Sequence, residues 1–391
     1  MRFALLADKV FTPHGIKYDH AVIVEHDKIV DICNHVPDNC NTVYNLKGQS
    51  LVAGFVDIHI HGRAGSDVMD ATHEALKTIS YALPETGVIA WCGTTVTAPM
   101  DDILNALSCV KEFIRNPDAS KGAELVGSFL EGPYFTEKFR GSHPTSFLKA
   151  ATVNELEAMD AAADGTLLRV ALAPEYDGSL EIIDWLVENK IKVSVAHTSA
   201  TFDQVTQAHK HGADCGVHLF NGMLGLHHRE AGCTGAVLYH DMLAELIADC
   251  VHVHPVMMNL AYRMKGYQKI ALITDCMRAG GMPDGDYVLG AQTIKVTAGK
   301  AMTDDGSLAG STCSLDQAVR NMIREAGVPE WEAMQMASIV PATYLGIDDR
   351  LGSIEIGKEA SFAILDKDFN VTMTMIKGSW AYDSKTIKEV S

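Results

Sequence analysis

The run GFVDIHIHG, residues 54–62, decides how this chain is read. An apolar, β-branched stretch ends in two histidines separated by one residue. A strand sends alternate side chains to opposite faces, so His59 and His61 point the same way. Two imidazoles on one side of a strand end can grip a metal ion. They can equally be two polar residues at a loop edge, and the rest of the chain has to decide.

Outward from this run the sequence alternates. Further apolar runs appear at GVIAWCGTTVTA, ELVGSFLEG, TLLRVALAPE, IKVSVAHTS, ADCGVHLFN, LAELIADCVHV and KIALITDC. Between most of them lie helical patterns such as SLEIIDWLVENK and TFDQVTQAHKHG. Strands alternating with helices imply a parallel sheet, and eight units fit an α/β chain folded as a (β/α)₈ TIM-like barrel. A doubly wound open sheet is the competitor. It would show a glycine-rich phosphate turn after its first strand, and no GxGxxG stands there. The ends of the chain have another texture. FALLADKVFT and HAVIVEHDKIVDI, near the start, and GSIEIGKEASFAILDKDFNVTMTMIKGSWAY, near the end, read as short strands between turns. The expectation is a small β-sandwich domain from residues 1–53 and 347–391, with a metal-dependent barrel over 54–346.

Composition narrows the function. Of the 391 residues, 47% are hydrophobic and 21% charged, as in an ordinary globular protein. No apolar window is long enough to cross a bilayer. MRFALLADKV meets Asp8 and Lys9 too soon for a secretory signal. Nine scattered cysteines without a CxxC suit free thiols, so a cytoplasmic location is expected. A net charge of −18 argues against nucleic acid as a partner. A small anion could still bind, through a local cluster of Arg, His or backbone N–H groups.

In a barrel the active site lies at the C-terminal strand ends. Those ends carry His59 and His61, Glu131 in LEGPYF, His197 in VAHTS, His218 in VHLFN and Asp275 in ITDC. Any one alone reads as a satisfied polar residue. Six metal-competent side chains at equivalent ends are a much rarer accident. Imidazole with carboxylate suits Zn²⁺, Fe²⁺ or Mn²⁺ rather than Ca²⁺ or a thiolate site.

HxH on strand one, single histidines on strands five and six and Asp on strand eight resemble the amidohydrolase superfamily. Within it, LEGPYF, the GSH at 141–143, AHTSA, HLFNGM, ELIADCVHVHP, ITDCMRAGG and LAGSTCS resemble the N-acetylglucosamine-6-phosphate deacetylase family, in that family's order, from about residue 45 to 365. The resemblance implies hydrolysis of the acetamide of N-acetyl-D-glucosamine 6-phosphate to D-glucosamine 6-phosphate and acetate, in amino-sugar catabolism. It implies that Glu131, His197 and His218 hold a metal and that His59 and His61 can hold another. The cofactor is then one or two divalent ions per chain, zinc by default, iron or manganese otherwise. Asp275 takes the role of the catalytic carboxylate, and His143 stabilises the oxyanion. Asn221 and Gly222 match sugar and phosphate contacts, and Arg229 and His252 match phosphate-binding residues. Arg229 reaches across the interface of a homodimer in that family. LAGST at 308–312 resembles the loop lining the acetyl pocket. His227, His228 and His254 read as structural imidazoles.

Alternatives stay open. The sister branch, N-acetylgalactosamine-6-phosphate deacetylase, differs at one sugar centre, and GLHHRE and HVHP resemble it at least as well. A dihydroorotase-like hydrolase usually carries a lysine on strand four, which TLLRVALAPE lacks. Asp275 could merely hold His59 or His61. A metal-dependent sugar-phosphate sensor would have no reason to keep Asp275 together with His143.

Overall fold

All eight apolar runs become neighbouring strands of one parallel sheet. The structure, a computed structural model, describes residues 2–116, 122–290 and 292–384. The strands are β1 (Phe55–Ile60), β2 (Val88–Thr94), β3 (Glu124–Glu131), β4 (Leu167–Leu172), β5 (Lys192–Val195), β6 (Ala213–Gly216), β7 (Leu243–Ile247) and β8 (Ile270–Ile273), each paired with the next in the chain. The Asp275 N–H donates to the His59 carbonyl at 2.9 Å, and an Ile60–Cys276 bridge follows. These contacts bring the end of β8 onto β1 and close the barrel. An open doubly wound sheet would leave β1 and β8 apart.

Every residue of β1, β2 and β7 is buried. A barrel strand faces packed side chains within and helices without, so it reads as a continuous apolar run rather than an alternation. The helices α1 (His73–Ala82), α2 (Met100–Arg115), α3 (Val153–Ala163), α4 (Ser179–Glu188), α5 (Phe202–Lys210), α6 (Gly232–Tyr239), α7 (Pro255–Lys265) and α8 (Leu315–Arg324) follow the strands in turn. In α8, Leu315, Ala318, Val319 and Met322 are buried, the spacing of a single helix face.

Both chain ends meet in one seven-stranded sheet, in the order 379–383, 371–376, 362–365, 42–53, 2–12, 15–25, 28–33. A single core cluster joins Phe3, Leu5 and Leu46 from the first end to Phe362, Ile364 and Met375 from the second. Between β8 and α8 the sequence shows no clear strand pattern. The structure has three there, Gly285–Leu289, Gln292–Thr297 and Lys300–Thr303, forming an antiparallel sheet. Its core is small: Met277, Leu289, Ile294, Val296 and Ala301. Strands of five, six and four residues give too few alternations to stand out. Ala298 and Gly299, both left-handed (φ +50° and +72°), make the tight turn between the last two strands, and Ala-Gly is not one of the pairs that announce such a turn in a sequence.

Candidate active site

The strand ends converge on Glu131. Its Oε2 lies 3.1 Å from His61 Nε2 and 3.5 Å from His59 Nε2. Its Oε1 lies 3.1 Å from His218 Nε2 and 3.4 Å from His197 Nε2. Asp275 Oδ1 closes the first side, 3.1 Å from His61 Nε2 and 3.5 Å from His59 Nε2. One carboxylate therefore serves two pairs of imidazoles. His197, His218 and Asp275 have left-handed backbones, with φ of +44°, +32° and +49°. Such a conformation is costly for a non-glycine residue and is found where surrounding structure imposes it, often at functional sites.

The other ring nitrogens fix the tautomers. His59 Nδ1 is 2.9 Å from Glu245 Oε2, and His61 Nδ1 is 3.2 Å from the Thr94 carbonyl. His197 Nδ1 is 2.9 Å from the Phe139 carbonyl, and His218 Nδ1 is 3.1 Å from that of Asn221. Each partner can only accept, so each Nδ1 carries the proton and each Nε2 turns its lone pair into the site. His59 Nε2 is buried without a hydrogen-bond partner, and the Nε2 atoms of His197 and His218 face each other at 3.1 Å. Lone pairs aimed at one another and at carboxylates repel unless a cation lies between them. The donor set fits a divalent metal.

With no cation between these groups, protons take its place on His59 and His61. Burial alone would favour neutral imidazoles at His59 and His61. Glu131, Asp275 and Glu245 overcome it at His59, raising it well above the usual range, and Asp275 and Glu131 push His61 up to about 10. Burial would likewise favour protonated carboxyls, yet His59 and its neighbours hold Glu131 well below the usual carboxylate range and lower Asp275 as well. His143 behaves oppositely. Burial, then the charge of His197, hold it well below the imidazole range and keep it neutral. Its Nδ1 is 2.8 Å from Thr97 Oγ1, a hydroxyl that can donate and so leave Nε2–H pointing into the site.

A cavity of about 440 Å³ opens above this cluster. His61, Glu131, His143, His197, His218, Asn221, Gly222, His252 and Asp275 line it, as do Leu308 and Gly310 of the LAGST loop. Gly222 has φ +58°, and a Cβ there would lie 2.7 Å from His197 Nδ1, so no larger residue fits without moving a candidate ligand. His252 Nδ1 pairs with Asp249 at 2.7 Å; burial would lower its pKa, but that contact raises it. Arg229 is not among the lining residues. It is exposed, its Nη1 2.7 Å from His228 Nε2. His227 and His228 are exposed beside it, and His254 caps α7.

A model of the amidohydrolase family matches residues 50–381. The chain belongs to the amidohydrolase family. It is 46% identical over 337 residues to the N-acetylglucosamine-6-phosphate deacetylase of Vibrio furnissii, covering 86% of this chain and 84% of that one. It is 40% identical over 382 residues to the N-acetylgalactosamine-6-phosphate deacetylase of Escherichia coli O157:H7, covering 97% and 100%. A mutant N-acetyl-D-glucosamine-6-phosphate deacetylase from Mycobacterium smegmatis, solved in complex with N-acetyl-D-glucosamine 6-phosphate, superposes with a TM-score of 0.92 at 31% identity, covering 97% and 99%.

Further buried polar residues of this amidohydrolase pack against the site. Asp57 is fully buried below the site, where burial pushes its carboxyl up to about 6 against hydrogen bonds from Thr274 and the His59 N–H. Glu245 and Arg169 form a buried ion pair behind His59. The signal for both was available: a charge inside an apolar strand, in LAELI and LLRVAL, has to be paired. Leu289, Gly306 and Ser307 reach the cavity from the unforeseen sheet and the loop after it.

Proposed function

We propose that this amidohydrolase deacetylates N-acetyl-D-glucosamine 6-phosphate, giving D-glucosamine 6-phosphate and acetate. The observation that carries the reading is Glu131 set between two pairs of imidazoles, with Asp275 and His143 lining the same cavity. The Vibrio furnissii and Mycobacterium smegmatis relatives support the substrate. Glu131 with His197 and His218 would hold one divalent ion, and His59 and His61 with Glu131 a second, zinc before iron or manganese. When bound, such an ion polarises a carbonyl and lowers the pKa of water towards neutrality.

The chain's own groups do the rest. Asp275 takes the proton of the attacking water and delivers it to the departing amine, which would otherwise leave as an anion. His143, neutral, donates Nε2–H to the acetamide oxygen as negative charge builds there. Asn221 and Gly222 lie against the sugar phosphate. His252, whose pKa the contact with Asp249 raises, meets the phosphate, with Arg229 from a second copy as its partner. An exposed Arg229 outside its own chain's cavity supports that assignment. So do Val256, Leu260 and Met264, spaced four apart on α7 and 59%, 40% and 56% exposed, a stripe that a homodimer could cover. Among the described residues no helix is long and apolar enough to cross a membrane, and all nine cysteines are free, which supports a cytoplasmic enzyme.

The second reading is N-acetyl-D-galactosamine 6-phosphate as substrate, favoured by the Escherichia coli relative, whose whole length this chain matches. Acetate release from both epimers, with zinc, iron or manganese added, tests the two. The expected result is a higher kcat/KM on the glucosamine epimer. A reversed ratio gives the second reading, and no acetate from either would leave a sugar-phosphate sensor.

A further inference from the structure

Beneath the imidazoles lies a second charged cluster, with no part in the chemistry above. Glu245 on β7 and Arg169 on β4 are fully buried in strands that are otherwise apolar. Arg169 Nη1 lies 2.5 Å from Glu245 Oε1. The same guanidinium donates to the Ile58 carbonyl at 3.1 Å and to Ser194 Oγ at 2.9 Å, and stacks 3.8 Å from the centroid of the Phe129 ring. The other carboxylate oxygen, Oε2, is 2.9 Å from His59 Nδ1 and accepts the His218 N–H at 3.4 Å. Phe129 also meets His59 edge to face, at 5.0 Å.

We infer that Glu245, clamped by Arg169, is the positioning residue for the HxH half of the metal centre. It holds the His59 ring with Nε2 facing Glu131 and Asp275, and so sets how tightly that half binds a divalent ion. The inference rests on reading the cluster as a metal centre. His61, His197 and His218 are held by uncharged backbone carbonyls; His59 alone is held by a carboxylate. An anionic acceptor on Nδ1–H makes Nε2 a stronger donor to a metal, and it resists rotation of the ring. Alone, a carboxylate buried there would be costly, and the Arg169 charge offsets it. A guanidinium suits the place because it stays protonated and cannot become a ligand itself. Each residue of the pair thus explains the other's presence in an apolar strand.

The test is zinc binding, read by equilibrium dialysis on wild type and Glu245→Gln, without any deacetylase assay. Gln offers one acceptor oxygen where Glu offers two, so Arg169 and His59 cannot both be satisfied. Wild type should bind two ions. The variant should keep one at unchanged affinity and bind the other about 10- to 100-fold more weakly. Equal affinities in both proteins overturn the proposal. So does weakening of both sites together, which would mean a general structural role. If Glu245→Gln does not fold, Arg169→Met with Glu245→Gln removes both charges at similar volume, and the same titration is read on it. Nitrogen-15 spectra of zinc-loaded wild type give an answer independent of any variant. His59 should be protonated at Nδ1 and ligated through Nε2; a proton on Nε2, or no zinc on His59, overturns the assignment. Failure of the deacetylase reading would show separately, as absence of acetate release from a protein that still binds zinc.

Discussion

Asp275 and His61 share the site yet should fail differently. Asp275 Oδ1 sits 3.1 Å from His61 Nε2 on the side of Glu131 away from His197 and His218. Asp275→Asn removes the proposed proton carrier but leaves the His197 and His218 side intact. Turnover should fall by about 10² to 10⁴, the usual contribution of a general acid–base group, with at least one metal ion per chain retained. Acetate release and metal analysis on the same sample check this; loss of all metal would make Asp275 primarily a ligand. His61 gives a pH prediction. Its folded-state pKa, about 10, lies above the unfolded imidazole value of about 6.5. In metal-stripped protein the stability it contributes is fully present below about 6.5 and is lost as pH rises through about 10. The Tm gap between stripped wild type and stripped His61→Asn should therefore shrink over that window. Zinc affinity should rise over the same window, because binding displaces the proton. A gap that widens with pH would contradict the assignment.

β1 supplies one half of the proposed metal centre and the ends of β5 and β6 supply the other. His59→Gln with His61→Asn empties the first half while Glu131 Oε1, His197 and His218 remain. Bound metal should drop towards one ion per chain with measurable deacetylation retained. Complete loss of metal would reverse the ranking of the two halves. The elements themselves were largely legible in the sequence. A strand buried on both faces has to be apolar throughout, so the eight barrel strands stood out, and their ends located His59, His61, Glu131, His197, His218 and Asp275. What stayed hidden depends on contacts between distant elements. Glu245 and Arg169 meet only because β4 and β7 face each other across the barrel interior, and no local pattern pairs them. The three-stranded sheet after β8 was missed because its strands are short and half exposed. Thr94 and Thr97 act through one backbone carbonyl and one hydroxyl beside their imidazoles, which residue type does not announce.

The whole molecule carries a net charge of −18, so a phosphorylated substrate is repelled until it meets a local cation. His252, paired with Asp249, lines the cavity, while Arg229 is exposed and does not line it in its own chain. Arg229→Ala should raise KM for the 6-phosphate about ten- to hundredfold, as expected for losing a charge-assisted hydrogen bond of roughly 1.5–3 kcal/mol. The unphosphorylated N-acetyl sugar should be affected less. If Arg229 serves the neighbouring cavity, mixing Arg229→Ala with Asp275→Asn should restore activity, since one cavity of each mixed dimer has both residues. No recovery in exchanged mixtures would place Arg229 outside the partner's site. Glu131 and its imidazoles are proposed to form a metal centre for deacetylation. The most direct measurement is acetate release from N-acetyl-D-glucosamine 6-phosphate by one sample, before stripping with a chelator, after stripping and after zinc is returned, with metal counted at each stage. Activity should vanish with the metal and return with it in proportion to occupancy. Undiminished turnover by protein free of metal would contradict the claim.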